Sequence, residues 1–234
     1  AGEDPHIVIE QPYLAVALAI MAIEIIVAAI YSLDALYGER RDRSVLFWKS
    51  LPVSDFSTVL AKATVAILIL PLIAAAATVA VQFIMLAINS AVFAASGLSA
   101  ASVWTHVPFF KTAGINIYHL VVFHGIWYAP FYGWFLLASA WAKRTPFLWA
   151  VVPPVAIGLL EKIAFNTNHF GMLIFTRFGG GGSSGGSSDG MTMDMLAPEH
   201  AVHFLFSWGL WLGLLLTAAF LFAASRLRRL RTTN

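Results

Sequence analysis

Long apolar stretches alternate with short polar connections along this chain of 234 residues. A helix that crosses a bilayer needs roughly 20 mostly apolar residues. Five stretches meet this requirement and predict spans over residues 13–36, 59–93, 115–142, 146–165 and 201–224. The second span is long enough to tilt or to break near Asn89. The pattern therefore predicts an all-α integral membrane protein with a bundle of five transmembrane helices.

Composition supports the same class of protein. The chain is 59% hydrophobic and only 11% charged, with a mean hydropathy of +0.79. A soluble domain carries about a quarter charged residues, so the deficit indicates a single membrane domain over residues 1–234. Cysteine is absent, which excludes a disulfide framework, a thiolate metal site and a cysteine nucleophile.

The distribution of Lys and Arg predicts the orientation of the spans. If the five spans alternate, one side holds the basic residues Arg40, Arg41, Arg43, Lys49, Lys62, Lys143, Arg144, Arg226, Arg228, Arg229 and Arg231. The other side holds only Lys111, Lys162 and Arg177. The richer side is expected to be cytoplasmic. The C-terminus is then cytoplasmic, and residues 1–12 and the loop 166–200 lie outside.

The chain begins at Ala1 without an initiator Met or a signal-like segment. Because a chain without a signal peptide usually starts in the cytoplasm, we expect a parent of six spans whose first helix is absent here.

The first connection, residues 38–57, is unusually polar, and residues that end or begin helices follow one another along it. Gly38 can end the preceding helix, and "SVLFWKSL" then suits a short helix along the membrane surface. Pro52 stops that helix, and Ser54-Asp55 provides an N-cap for the next span. A plain positive-inside loop with an aromatic anchor remains the alternative.

The run from Glu39 to Lys62, "ERRDRSVLFWKSLPVSD…LAK", resembles the cytoplasmic coupling segment of ABC-2 type transporter permeases. The matching positions are Glu39, Leu51, Pro52, Val53, Ser54 and Lys62. Many members have a Gly-Thr pair where this chain has Arg43-Ser44, and the exporter subset fits better. The motif covers about 25 residues, although the topology resembles the family over roughly residues 13–165.

The resemblance implies a transport subunit that is not itself an enzyme. The chain has no G-x-x-x-x-G-K-[ST] motif, so ATP and Mg²⁺ would be bound by a separate ATPase subunit. That subunit would dock on a coupling helix and its flanks: Glu39, Arg40, Arg41, Arg43, Phe47, Trp48, Lys49, Leu51 and Pro52. A second permease copy, membrane lipid and a bacterial inner-membrane location are also implied, without nucleic acid. We predict a homodimer, although the sequence does not distinguish it from a heterodimer.

Glu24 lies near the middle of the first span, in "IMAIEIIVAAI". A carboxylate at that depth is costly unless it is protonated or paired, so it is a candidate for the transport pathway. A neutral Glu bonded to a neighbouring helix, or a residue at the dimer seam, are the structural alternatives. No cationic residue is predicted at the same depth, which favours a protonated or hydrogen-bonded Glu24.

The stretch "FHGIWYAPFYGW" provides further pathway candidates, Trp127, Tyr128 and Pro130. Pro130 should kink the third span, and the aromatic rings could line a wall for a hydrophobic substrate. Ordinary packing at helix crossings is the alternative. Pro153-Pro154 should break the fourth span in the same way, and Glu161-Lys162 should form an exposed pair.

Soft ligands occur in the last outer loop, which also contains the Gly/Ser-rich stretch 179–190. That stretch is either a natural loop or an engineered linker. The weak metal candidates are Met191, Met193, Met195, His200 and His203, a set that suits Cu(I). All histidines are expected outside the membrane or in the outer halves of spans, which favours this interpretation. Met in a flexible loop and His at an interface are both common, however, and the spacing gives no fixed ligand geometry.

Three other functions compete with the exporter subunit. A copper-related ABC permease would use the Met and His residues of the outer loop. A proton-coupled secondary transporter would use Glu24, but it usually shows an internal repeat, and none is clear. An intramembrane metal-dependent hydrolase would need His and Glu side chains at one depth, whereas Glu24 is expected to stand alone there.

Overall fold

The computed structural model describes residues 5–42, 53–97, 99, 104, 109–178 and 206–231. Several predicted features lie outside these ranges. They are the central part of the coupling segment (Arg43, Phe47, Trp48, Lys49, Leu51 and Pro52), the stretch 179–190, and the metal candidates Met191, Met193, Met195, His200 and His203.

Within the described ranges the chain is helical and contains no strand. The first connection is flanked by α1 (Pro5–Asp34) and α2 (Tyr37–Arg41) before it, and by α3 (Asp55–Thr64), π1 (Val65–Ile69) and α4 (Leu70–Ala95) after it. The remaining helices are α5 (Phe109–Tyr118), π2 (His119–Trp127), α6 (Ala129–Trp141), α7 (Pro146–Phe165), α8 (His169–Phe178) and α9 (Trp208–Arg231).

By length and composition, four helices of the described residues can cross a membrane: Gln11–Arg41, Asp55–Ala95, Pro146–Phe165 and Trp208–Leu230. A fifth is obtained if Phe109–Trp127 and Ala129–Trp141, which meet at a bend of 47°, count as one broken span. An all-α membrane protein is consistent with this architecture.

The helices pack through small residues. Gly133 of α6 lies against α9, where an added Cβ would sit 3.4 Å from the Cα of Thr217. One turn further on, the connection between α1 and α2 shares an apolar core with α3, α6 and α9 that includes Leu36, Val59, Leu136 and Leu221. Close backbone approach at small residues is the usual way in which helices associate in lipid.

Several helix boundaries differ from the expectations. Helix α1 begins at Pro5, so part of the predicted outer segment 1–12 is helical, with Pro12 inside the helix. The second span continues through Asn89 to Ala95, and its irregular turn is π1. The last span is shifted towards the C-terminus, to Trp208–Arg231.

The prolines act differently in the third and fourth spans. Helix α7 runs over the predicted range and continues through Pro153 and Pro154, so the predicted break is wrong. In the third span, Pro130 stands at the start of α6 and the bend precedes it. A proline is tolerated where a neighbouring turn or helix satisfies the freed carbonyl groups, which explains why position decides its effect.

Candidate functional site

Two polar clusters, one buried and one partly buried, lie about 20 Å apart along α1 and its extension, at a rise of about 1.5 Å per residue. The charged cluster consists of Glu39, Asp55, Lys62 and Arg228. The midpoint cluster consists of Glu24, His124, Tyr128 and Tyr132.

The charged cluster joins three helices that end at the same end of the bundle. Glu39 of α2 lies 2.9 Å from Lys62 Nζ and, through its other oxygen, 2.9 Å from Arg228 Nη1. Nε of Arg228 lies 3.1 Å from Oδ1 of Asp55. The four groups carry two negative and two positive charges, so the cluster is balanced.

Local hydrogen bonds fix the helices that carry these groups. Ser139 Oγ of α6 accepts from the backbone N–H groups of Leu36 at 3.1 Å and Tyr37 at 2.9 Å, which attaches the start of α2 to α6. Arg40 donates to the carbonyl oxygens of Ser139 and, at 3.0 Å, Ala142. The Ser139 hydroxyl satisfies N–H groups at the break between α1 and α2, and Arg40 satisfies carbonyl groups at the C-terminal end of α6.

At the other end of the connection, Ser54 caps α3 as expected. Its Oγ accepts from the N–H of Ser57 at 3.0 Å. Gly38 does not end α1, which stops at Asp34; instead it leaves room for the Asp34 side chain, which a Cβ would meet at 2.9 Å.

Two residues of the charged cluster are largely shielded from solvent, so their ion pairs differ from those on a protein surface. Arg228 is only 6% exposed, and the side chain of Glu39 is 11% exposed. A buried charge must be paired, because desolvation costs several kcal/mol per ion. Sequence reasoning chose Glu39 for the interface and Lys62 for the motif, but it read Arg228 only as a basic tail residue. No local signal separates Arg228 from its neighbours Arg226 and Arg229.

The midpoint cluster places Glu24 against a histidine. Oε2 of Glu24 lies 2.9 Å from Nδ1 of His124, and the two residues are 5% and 4% exposed. The rings of His124 and Tyr128 are 5.5 Å apart in an edge-to-face arrangement. The expectation of a hydrogen-bonded Glu24 agrees with this contact.

Two expectations about this level of the bundle were wrong. Glu24 is not alone, and His124 does not belong to an outer group of histidines. The reason is tertiary: π2 lies beside α1 and directs His124 at Glu24, which the spacing of either segment cannot reveal. The usable signal was His124 itself, a polar residue inside an otherwise apolar run.

Two polar atoms of the midpoint cluster have no hydrogen-bond partner within the described part of the chain. They are Oε1 of Glu24 and the hydroxyl of Tyr132, a residue that is 2% exposed. Buried polar atoms are usually satisfied, so such atoms mark places where a ligand, a proton or a conformational change acts.

Both irregular helical turns pass this cluster. Gly125, which follows His124 in π2, packs on the carbonyl oxygen of Ile67 in π1, and a Cβ there would clash with that oxygen. Glycine is therefore required for this crossing. π-helical turns occur often at functional sites, because they insert one residue into a helical turn.

Arg177 closes the bend of the third span. The N–H of Phe131 donates to the carbonyl oxygen of Tyr128 at 2.9 Å. The carbonyl of Trp127 is therefore left without this N–H as its helical hydrogen-bond donor. Arg177 Nε donates to that carbonyl at 3.2 Å, and Nη1 donates to the Gly209 carbonyl at 2.9 Å. Its guanidinium lies 4.3 Å from the Trp127 ring centroid, a cation–π contact.

The other predicted pathway residues come together at this bend. Trp127, Tyr128 and Pro130 are buried there, beside the midpoint cluster. Glu161, expected to pair with Lys162, instead accepts from Thr167 and from the N–H groups of His169 and Phe170 at 2.7–2.9 Å. It thereby caps α8, a helix that the predicted loop 166–200 did not include.

Among the described residues, no group of three or more His, Cys, Asp or Glu side chains could hold a metal ion. No family model, no curated protein and no solved structure matches the chain.

Proposed function

We propose that this chain is the transmembrane subunit of an ABC-2 type transporter, which couples to a separate ATPase and exports its substrate. The single observation that carries the proposal is the charged cluster. Both ends of the connection that resembles a coupling segment, at α2 and at the start of α3, meet in it.

The cluster supports coupling because it would transmit force. A force on the segment between Asp42 and Val53 acts on α2 through Glu39, on α3 through Asp55 and Lys62, and on α9 through Arg228. Packed helices move as rigid bodies, so a push at this end would move several spans together. A plain loop between two spans needs no such three-helix anchor.

The family motif and the cluster share residues. Glu39 and Lys62 are the first and last positions on which the resemblance rests, and they form a direct ion pair. The charged end would face the cytoplasm, because the Lys- and Arg-rich side of a membrane protein is normally cytoplasmic. ATP and Mg²⁺ would be bound by the partner, and a second permease copy would complete the pathway.

Coexpression with the ATPase encoded beside the parent gene tests the proposal. The permease is purified through a tag, and co-purification and ATP hydrolysis are measured for wild type, Trp48→Ala and Glu39→Gln. We expect the ATPase to co-purify with wild type, Trp48→Ala to lose binding, and Glu39→Gln to bind but uncouple hydrolysis from the permease. Aromatic residues dominate binding hot spots, which is why Trp48 is chosen.

Glu161→Gln is the matched control, because it neutralises a hydrogen-bonded carboxylate in α7, away from the charged cluster. It should leave both readouts unchanged. The proposal fails if no ATPase associates with wild type, or if both coupling-segment variants behave like this control.

A further inference from the structure

We propose that Glu24 and His124 form a buried proton-binding site, which holds one exchangeable proton on Glu24 Oε1 and thereby keeps π2 in its present register. The proposal goes beyond the coupling function, and it does not depend on the presence of an ATPase.

The hydrogen bonds of Glu24 indicate where the proton lies. Oε2 is engaged by His124 Nδ1 at 2.9 Å, whereas Oε1 is buried with no partner in the described ranges. An ionised carboxylate would leave Oε1 as an unsatisfied charged acceptor, which is costly in a low-dielectric interior. A proton on Oε1 makes the group neutral and turns that atom into a donor. With neutral His124 in its Nδ1–H tautomer, that nitrogen donates to Oε2.

The charges that surround the site lead to the same assignment. The groups facing Glu24 are His124 and Tyr128 of π2, with Tyr132 of α6, while His119 lies beside His124 at a ring separation of 5.5 Å. The described Lys and Arg ion pairs go to Glu39, Asp42 and Asp55. If Glu24 lost this proton while His124 stayed neutral, the pair would carry a net negative charge in the second half of α1.

Release of the proton is therefore linked to exposure of the site. The proton passes to water, and the remaining carboxylate requires hydration or a new donor, neither of which the closed bundle supplies. A pair of this kind binds and releases protons as a unit, so His124 belongs to the site even when it is neutral.

The helical geometry provides an element that can respond. His124 lies in π2 next to Gly125, which crosses π1 at the Ile67 carbonyl, and π2 ends at the 47° bend. Conversion of π2 to α-helical register would rotate its side chains by about 100° per residue of slippage and remove His124 from Glu24. The proton thus favours the π-helical register of π2, and its loss favours the α-helical register.

Infrared difference spectroscopy on the purified full chain in lipid nanodiscs tests the site directly. At neutral pH, where exposed carboxyl groups are ionised, wild type should show one carboxylic-acid carbonyl band, which disappears as the pH is raised further. Glu24→Gln should lack that band, and Glu161→Gln should retain it. Tyr132→Phe should keep the band, because the hydroxyl of Tyr132 makes no hydrogen bond to Glu24.

Hydrogen exchange of peptides covering 119–127 tests the coupling in the same samples. After division by the base-catalysed intrinsic rate, the protection of these amides should fall at high pH in wild type and Glu161→Gln, and it should be independent of pH in Glu24→Gln. The proposal is overturned if the band persists in Glu24→Gln, or if no titrating carboxyl band exists in wild type. If Glu24→Gln does not fold, an unshifted band in His124→Leu overturns it, because that variant removes the hydrogen bond to Oε2. ATPase co-purification tests the proposed function separately.

Discussion

The charged cluster is partly buried and the midpoint cluster is buried, and their charges are balanced differently. In the charged cluster, Glu39 has two cationic partners, and Arg228 reaches two carboxylates. In the midpoint cluster, Glu24 has one histidine and an unpartnered oxygen among the described residues. A balanced cluster holds helices together, whereas an unbalanced one responds to protons.

The largest effect should come from Arg228→Met, which removes the cation that links both carboxylates of the charged cluster. Breaking a buried pair from one side costs about 3–5 kcal/mol, because the remaining charge stays desolvated. Thermal unfolding in detergent is expected to show a large loss of stability.

Arg229→Met is the matched control for this change, since Arg229 is the next residue of α9 and is exposed. An exposed cation should contribute at most about 1 kcal/mol. Equal effects of the two variants would show that the charged cluster is as solvated as the surface, and the contrast between the clusters would disappear.

A double-mutant cycle on Glu24→Leu and His124→Leu probes the midpoint cluster. His124→Leu alone should cost about 1–3 kcal/mol, because it leaves Glu24 Oε2 without its donor. The double variant should cost less than the sum of the single variants, since neither partner is then left buried and unpaired.

The same unfolding assay gives the coupling energy of the cycle. Strict additivity of the two substitutions would contradict a direct Glu24–His124 bond. Ser32→Ala serves as a control on α1, because its hydroxyl bonds within its own helix to the Ala28 carbonyl at 2.7 Å.

Arg177→Met extends the comparison to a half-buried cation, which binds backbone carbonyls instead of a carboxylate. It should cost about 1–3 kcal/mol by leaving the Trp127 carbonyl without a donor. The indole fluorescence of Trp127 should also change, because the guanidinium leaves its ring. Lys162→Met, an exposed cation of α7, should change neither readout.

The smallest effect is expected for Lys62→Met. Its side chain is 19% exposed, and Glu39 keeps Arg228 as a second partner. We expect a loss of about 1 kcal/mol in the unfolding assay, close to the range of partly exposed pairs. The exposed Lys143→Met should have no measurable effect, and a Lys62 effect as large as that of Arg228→Met would assign the two cations equal roles.

Apolar length alone was enough to predict the helical class and most spans. Residues 146–165 form α7 as predicted, because every backbone group in lipid must be bonded within its own segment. The Ser54 cap was also predictable, since it depends on a neighbouring N–H three residues away. The double proline of α7 was misread, because the effect of a proline depends on the neighbours that satisfy the freed carbonyl.

The amino-acid sequence by itself determined that Glu24 needs a partner and that Glu39 and Lys62 belong to one motif. Only the tertiary structure decided which partners they have. His124 lies in another helix, Arg228 lies near the far end of the chain, and the Arg177 contact depends on a carbonyl released by the bend. Such contacts join residues distant in sequence, and local spacing carries no information about which helices become neighbours.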